Sequence, residues 1–181
     1  MARFSFHRGS AALDFAGTVG RRVSIPEERL TDRAALATWL REARLIAAGT
    51  PVTDADLAAA RELREAIARV GDAVVDGGAP DAADIARINT AAEQLPPLRL
   101  DPRSGRGIRT ATEPITAALA RIANDAITLF AERREDLVRC ALPECGALLL
   151  SGSKGPRRRW CTMAACGNVA KARAHRARRT S

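Results

Sequence analysis

The sequence predicts a mainly α chain: an N-terminal helical domain over residues 1–138 with a short β-hairpin, then, over residues 139–181, a small four-cysteine module ending in a basic helix. Three observations predict it. Apolar residues recur at helical spacing in four segments between Thr31 and Cys140. One intervening stretch, residues 98–108, alternates instead. All four cysteines and the whole positive excess lie beyond Val138. At 181 residues, 46% of them apolar, the chain has room for one ordinary domain plus a small module.

From Thr31, Leu36, Trp39, Leu40 and Ala43 share one helical face, with Thr31 or Asp32 to cap it and Gly49 to stop it. A second helix starts at Thr53, where Asp56 completes a capping box, and runs through Leu57, Leu63, Ile67, Val70 and Val74 to Gly77 and Gly78. A third carries Ile85, Ile88, Ala92 and Leu95 inward and ends at Pro96 and Pro97. Leu98, Leu100 and Ile108 alternate with polar residues around a turn, as in a β-hairpin or a loop. Pro114 opens a fourth helix, expected to run with Ile115, Leu119, Ile122, Leu129 and Leu137 on one stripe directly into Cys140. The N-terminal residues up to Thr18 read as a short strand turning into a helix near Leu13.

Charge is segregated. Beyond Val138 there are ten basic residues against Glu144 alone, whereas the rest of the chain is close to balance. The ratio of 27 Arg to 2 Lys reflects coding bias, but bias does not segregate charge. An anionic partner is expected, nucleic acid above all. No apolar run precedes Asp14, and no span of 18 apolar residues occurs, so the expected location is cytoplasmic, with no membrane contact.

Cys140 and Cys145 are separated by four residues, Cys161 and Cys166 by four again, and fifteen lie between the pairs. Two matched thiol pairs across a short loop suit one tetrahedral Zn2+. Four thiolates satisfy that ion, leaving no site for catalytic water. Gly146 and Gly167 each follow a ligand, where a residue without Cβ allows positive φ. Disulfides are disfavoured in a reducing compartment, and unlinked core thiols do not explain the symmetry. The sequence lacks the H-x-E motif of zinc deaminases.

The metal site does not itself need the surrounding cations, so they are expected to point outward. Lys154, Arg157, Arg158 and Arg159 precede Trp160 and Cys161, and Asn168 can cap a helix bearing Lys171, Arg173, His175, Arg176, Arg178 and Arg179. Ala170, Ala174 and Ala177 make a small-residue face suited to close packing, and Lys171, His175 and Arg178 a cationic one. Such a tail suits phosphate backbones. With 3% aromatic residues, base stacking is poorly supported and double-stranded DNA is the expected partner.

The stretch "RRRWCTMAACGNVAKARAHRARR" resembles the CGNR zinc-finger module found at the C-terminus of bacterial proteins described as stress-induced transcription regulators. "GSAALDFAGTVGRR", "LATWLREARLI", "ARELREAI" and "ARINTAAEQL" are similar to the N-terminal helical domain of that family, called ABATE. Two departures stand out: Val169 occupies the Arg position of the CGNR tetrapeptide, and Gly17 the usual Asn of an LDxxNT-like motif. The resemblance implies DNA-linked regulation and makes Asp14 and Thr18 candidates for a ligand site.

The sequence therefore reads as a zinc-containing, DNA-binding transcriptional regulator whose helical domain senses a small-molecule or protein effector. DNA readers commonly work as dimers, so a homodimer is one expected assembly. The alternative is a zinc-stabilised module that binds RNA or an acidic protein without sequence-specific DNA recognition. An enzyme using His7 or Asp14 is disfavoured, because no nucleophile and base pair or phosphate loop occurs.

Overall fold

A computed structural model describes residues 4–108, 113–152 and 157–179. They form six α-helices and three two-stranded antiparallel hairpins. In chain order these are α1 (Ala11–Ala16), β1 (Val19–Gly20), β2 (Glu27–Glu28), α2 (Arg33–Glu42), α3 (Asp54–Val75), α4 (Ala82–Glu93), β3 (Arg99–Leu100), β4 (Gly107–Ile108), α5 (Pro114–Glu132), β5 (Leu137–Arg139), β6 (Leu148–Leu150) and α6 (Asn168–Arg179). None of the helices is long and apolar enough to cross a membrane.

Local signals set most helix starts. Asp32 accepts from Ala35 N at 2.7 Å, Asp81 from Ala83 N at 2.7 Å, and Thr53 and Asp56 form a reciprocal capping box. Pro114 is the first residue of α5. The short helix α1 is capped from elsewhere: Asp125 on α5 accepts from Ala12 N at 2.8 Å and from the Ser10 hydroxyl. Helix α2 stops well before Gly49. Arg44 takes a left-handed φ of 59°, and Leu45 N donates back to Leu40 O at 2.9 Å, a Schellman ending without glycine.

The core lies between α1, α2, α3 and α5, with α4 covering one side. Trp39 is fully buried against Phe15 and Phe6, with ring centroids 4.9 and 5.5 Å away. Ile88 is buried as expected, but Ile85 is 41% exposed. Asp84 turns inward instead and is paired with Arg69, whose Nε lies 2.7 Å from its carboxylate. The segment after Pro97 is a hairpin, with Arg99 opposite Ile108 and Leu100 opposite Gly107.

Helix α5 does not run into Cys140. It ends at Glu132, and a single 3-10 turn, Arg134–Asp136, leads into β5. β5 pairs with β6 in the register Leu137 with Leu150, Val138 with Leu149 and Arg139 with Leu148. A strand sends successive side chains to opposite faces, which a helix cannot do with adjacent residues. Leu137, Leu148 and Leu150 pack on Leu13 and Leu129, while Leu149 and Val138 face the cysteines. Both faces of β6 are therefore covered, and all three of its leucines are buried. Arg139 holds the hairpin to α3 through Asp72 and Asp76, each at 3.0 Å.

Gly71, in the middle of α3, makes room for this docking. A Cβ there would lie 2.4 Å from Leu148 Cδ1. On helix propensity alone Gly71→Ala would stabilise by about 1 kcal/mol. Overpacking against Leu148 is expected to reverse the sign, to a net loss of about 1–3 kcal/mol. Denaturant titration of Gly71→Ala, Leu148→Ala and the double variant checks this: in the Leu148→Ala background the alanine at 71 is expected to cost nothing or to stabilise.

The β1–β2 hairpin is held to α3 by a network around Arg64, which is 3% exposed. Its guanidinium donates to Glu28 at 2.6 and 2.7 Å and to Glu65 at 2.8 Å, while Arg22 donates to Glu65 at 2.6 Å. Burial works against both carboxylates, but hydrogen bonds from Arg64 to Glu28 and from Arg22 to Glu65 outweigh it and hold both pKa values below the ordinary 4.5. A lowered carboxylate pKa contributes stability above its unfolded value and loses it as the pH falls through the folded value. Arg64→Met is expected to cost about 2 kcal/mol near neutrality, less than for a fully buried pair because Glu28 is about one-third exposed. Urea titrations at several pH values check the sign: below about pH 4.5 the difference between the two proteins should shrink. Asp14, whose pKa burial raises, acts in the opposite direction in both proteins and cancels in that difference.

Candidate metal centre

Cys140 follows β5 immediately, and Cys145 lies in the tight turn that leads to β6. Cys140 N donates to Ala147 O at 2.8 Å and Cys145 N to Leu142 O at 2.9 Å, which closes the turn. Gly146 adopts a φ of +65°, and a Cβ there would also lie 2.7 Å from Val23 Cγ1. Both facts require glycine. Gly167, expected from its sequence position to share this conformation, does not have positive φ. It is needed for space, since its Cβ would lie 2.7 Å from Met163 Sδ.

The second pair comes from the segment that crosses the hairpin. Ala141 N donates to Arg159 O at 2.7 Å, and Cys161 N approaches Cys140 Sγ at 3.5 Å. Thr162 then caps a wide π-type turn, Met163–Gly167, accepting from Ala165 N at 3.2 Å; this turn carries Cys166 and leads without a break into α6.

All four sulfurs lie within 4.8 Å of one another, and the four residues are no more than 9% exposed. Cys145 and Cys161 sulfurs are 3.6 Å apart, and Cys161 and Cys166 sulfurs 3.4 Å. A tetrahedral ion about 2.3 Å from four thiolates sets sulfurs about 3.8 Å apart, within this spread. The donor set is all sulfur, closed and largely dry, and so fits a structural Zn2+. As bare thiols the four crowd one another. Hydrogen bonds received from Cys145 and Cys161 lower the pKa of Cys140, and sharing those bonds raises both partners. Burial raises Cys166. Binding a dication requires these protons to leave, so affinity falls as pH falls.

The basic residues divide by what they touch. Arg158 turns inward and donates to the carbonyls of Trp160, at 3.0 Å, and of Cys161 and His7. Arg173 pairs with Glu144 at 2.7 Å. Arg159 lies 5.2 Å over the Trp160 ring and is exposed, as is Arg157. Residues 171–179 are all exposed, whereas Ala170, at the root of α6, is half-buried. At 100° per residue, Lys171, His175 and Arg178 point roughly away from Arg173 and the body of the protein. Lys154 falls outside the described residues.

Asp14 and Thr18 are both buried and internally bonded. Asp14 accepts from Arg8 N at 2.8 Å. Thr18 donates to Phe15 O at 2.7 Å and accepts from Arg64 at 3.3 Å. Beside them the guanidinium of Arg8 fills the space that a side chain at position 17 would take: a Cβ on Gly17 would lie 2.0 Å from Arg8 Cζ. Gly17 is thus what admits Arg8, a pairing across nine residues that no periodicity signals.

Residues 9–133 match the model of the ABATE family, described as "Putative stress-induced transcription regulator". Residues 137–179 match the CGNR zinc finger. No curated protein matches the sequence. With the ABATE match covering more than half of its length, and four clustered cysteines in the matched finger, this chain belongs to the ABATE family and carries a C-terminal CGNR zinc finger.

Proposed function

We propose that this protein is a cytoplasmic transcriptional regulator in which Zn2+, held by Cys140, Cys145, Cys161 and Cys166, presents α6 to duplex DNA while the helical part senses an effector. The supporting observation is that the turn bearing Cys166 continues directly into an exposed helix whose outward face is cationic. Lys171, His175 and Arg178 on that face, with Arg157, Arg159 and Arg179, would contact phosphates. Arg158 and Arg173, bonded within the chain, would position the surface rather than touch DNA. With a zinc tetrathiolate carrying a net charge of about −2 buried behind it, the outer cations are left for a partner.

The expected affinity is strongly salt-dependent: about five phosphate contacts give a slope of log K against log salt of about −4.5. Neutralising Lys171 and Arg178 together is expected to weaken binding and to reduce that slope by about 1.8. Fluorescence anisotropy with labelled duplex DNA measures both, alongside Cys161→Ser, which should lose metal and affinity together. Unchanged affinity in both variants would sink this reading, and stronger competition by structured RNA than by duplex DNA would favour an RNA-binding module.

Chelation is expected to do more than melt the finger. Metal binding contributes on the order of ten kcal/mol in modules of this size, and Leu137, Leu148 and Leu150 of the hairpin complete an apolar cluster with Leu13 and Leu129. A strong chelator should therefore lower the melting temperature of the helical signal as well. A helical transition that stays in place after complete metal removal would contradict that coupling.

A further inference from the structure

Between the N-terminal segment, the β1–β2 hairpin, the cysteine turns and the start of α6 lies a cavity of about 590 Å3. That is the size of small-molecule sites. Its walls include Ser5, Arg8, Arg29, Glu144, Val169 and Arg173, with the cysteine cluster along one side. Arg173 already donates to Glu144 at 2.7 Å, and Arg29, 3.9 Å from Glu27, is 31% exposed and open to water.

Arg8 is different. It is 6% exposed, its Nε is buried without a hydrogen-bond partner, and its nearest paired carboxylate, Asp14, is 4.0 Å from Nη1. Asp14 Oδ1, the atom at that distance, already accepts Arg8's own backbone N–H. The Ser5 hydroxyl and Glu144 Oε2 are likewise buried and unpartnered. Among the described residues four buried side-chain polar atoms lack a partner, and three belong to residues lining this one cavity; the fourth, Trp39 Nε1, sits in the core. Buried polar groups are normally satisfied, and a guanidinium left without a close acceptor is costly.

We infer that this cavity binds a small organic oxyanion, its carboxylate or phosphate head on Arg8 and Ser5, a hydrogen-bond donor on Glu144, and its apolar body against Leu142, Ala147 and Val169. A guanidinium presents a planar fork that matches such a head. The sulfur wall, anionic once it holds a dication, directs the head to the Arg8 end. Gly17 keeps that fork in place by leaving it room. The bound molecule touches both the N-terminal segment and the root of α6, so it would be the effector of the proposed regulator; its binding is nevertheless measurable without DNA.

Isothermal titration of the zinc-loaded full chain with inorganic phosphate, benzoate, 4-hydroxybenzoate and, as a cationic control, benzamidine tests this. The expected order is 4-hydroxybenzoate tighter than benzoate, phosphate weaker than both, and benzamidine undetected. Arg8→Gln should weaken 4-hydroxybenzoate at least tenfold. Should that variant not fold, Ser5→Ala and Val169→Trp, one removing a donor and the other filling the cavity, should each weaken it at least threefold. Absence of binding by every anionic probe at millimolar concentration, tighter binding of benzamidine, or affinity unchanged in the folded variants would overturn the inference. DNA affinity measured on the same samples reads separately on the regulator itself.

Discussion

One three-residue strand holds the molecule together. β6 consists of Leu148, Leu149 and Leu150, and all three are buried. The period-2 geometry of a strand divides them, with the outer two completing the apolar cluster of α1 and α5 and the central one closing the cysteine cluster. A helix in this place would put all three on adjacent, diverging directions and could not serve two cores. The hairpin with β5 gives these residues their register, and the close approach to Gly71 sets how deeply the hairpin sits on α3.

That arrangement changes how the metal site relates to the rest of the chain. A finger on the end of a continuous helix would be joined by one covalent connection and a shared axis. Here the connection is a surface: Arg139 on Asp72 and Asp76, Leu150 N on Arg8 O at 2.9 Å, the Ser24 hydroxyl on Glu144 O at 3.0 Å, and Arg158 on His7 O. The order of the cysteine turns and that of the N-terminal segment are thus mutually dependent. The base of α6 is held by the same contacts, and Arg173 ties it to Glu144, while Lys171, His175 and Arg178 face outward and are exposed.

Arginine does three different jobs within this small protein, and environment decides which. Arg64 is buried with its donors spent on Glu28, Glu65 and Thr18, and acts as a structural crosslink. Arg158 is spent on backbone carbonyls and secures the approach to Cys161. Arg8 is buried too but lacks comparable acceptors. Residue type and charge are the same in all three, so composition could not separate them; only the inventory of neighbouring acceptors does.

The sequence by itself determined whatever depends on neighbours along the chain. Helix starts at Asp32, Thr53 and Pro114 were legible because capping bonds and a first-turn proline are local signals, and the cysteine set because paired spacing on tight turns is itself the ligand geometry. Tertiary structure decided the rest. The end of α5 at Glu132 follows from the pairing of Leu137 with Leu150, partners separated by the whole cysteine turn. The capping of α1 by Asp125, the inward turn of Asp84 rather than Ile85, and the meeting of Arg8 with Gly17 each depend on a side chain brought from elsewhere in the fold. Periodicity records which face of an element is apolar, but not which distant residue will arrive to cover or complete it.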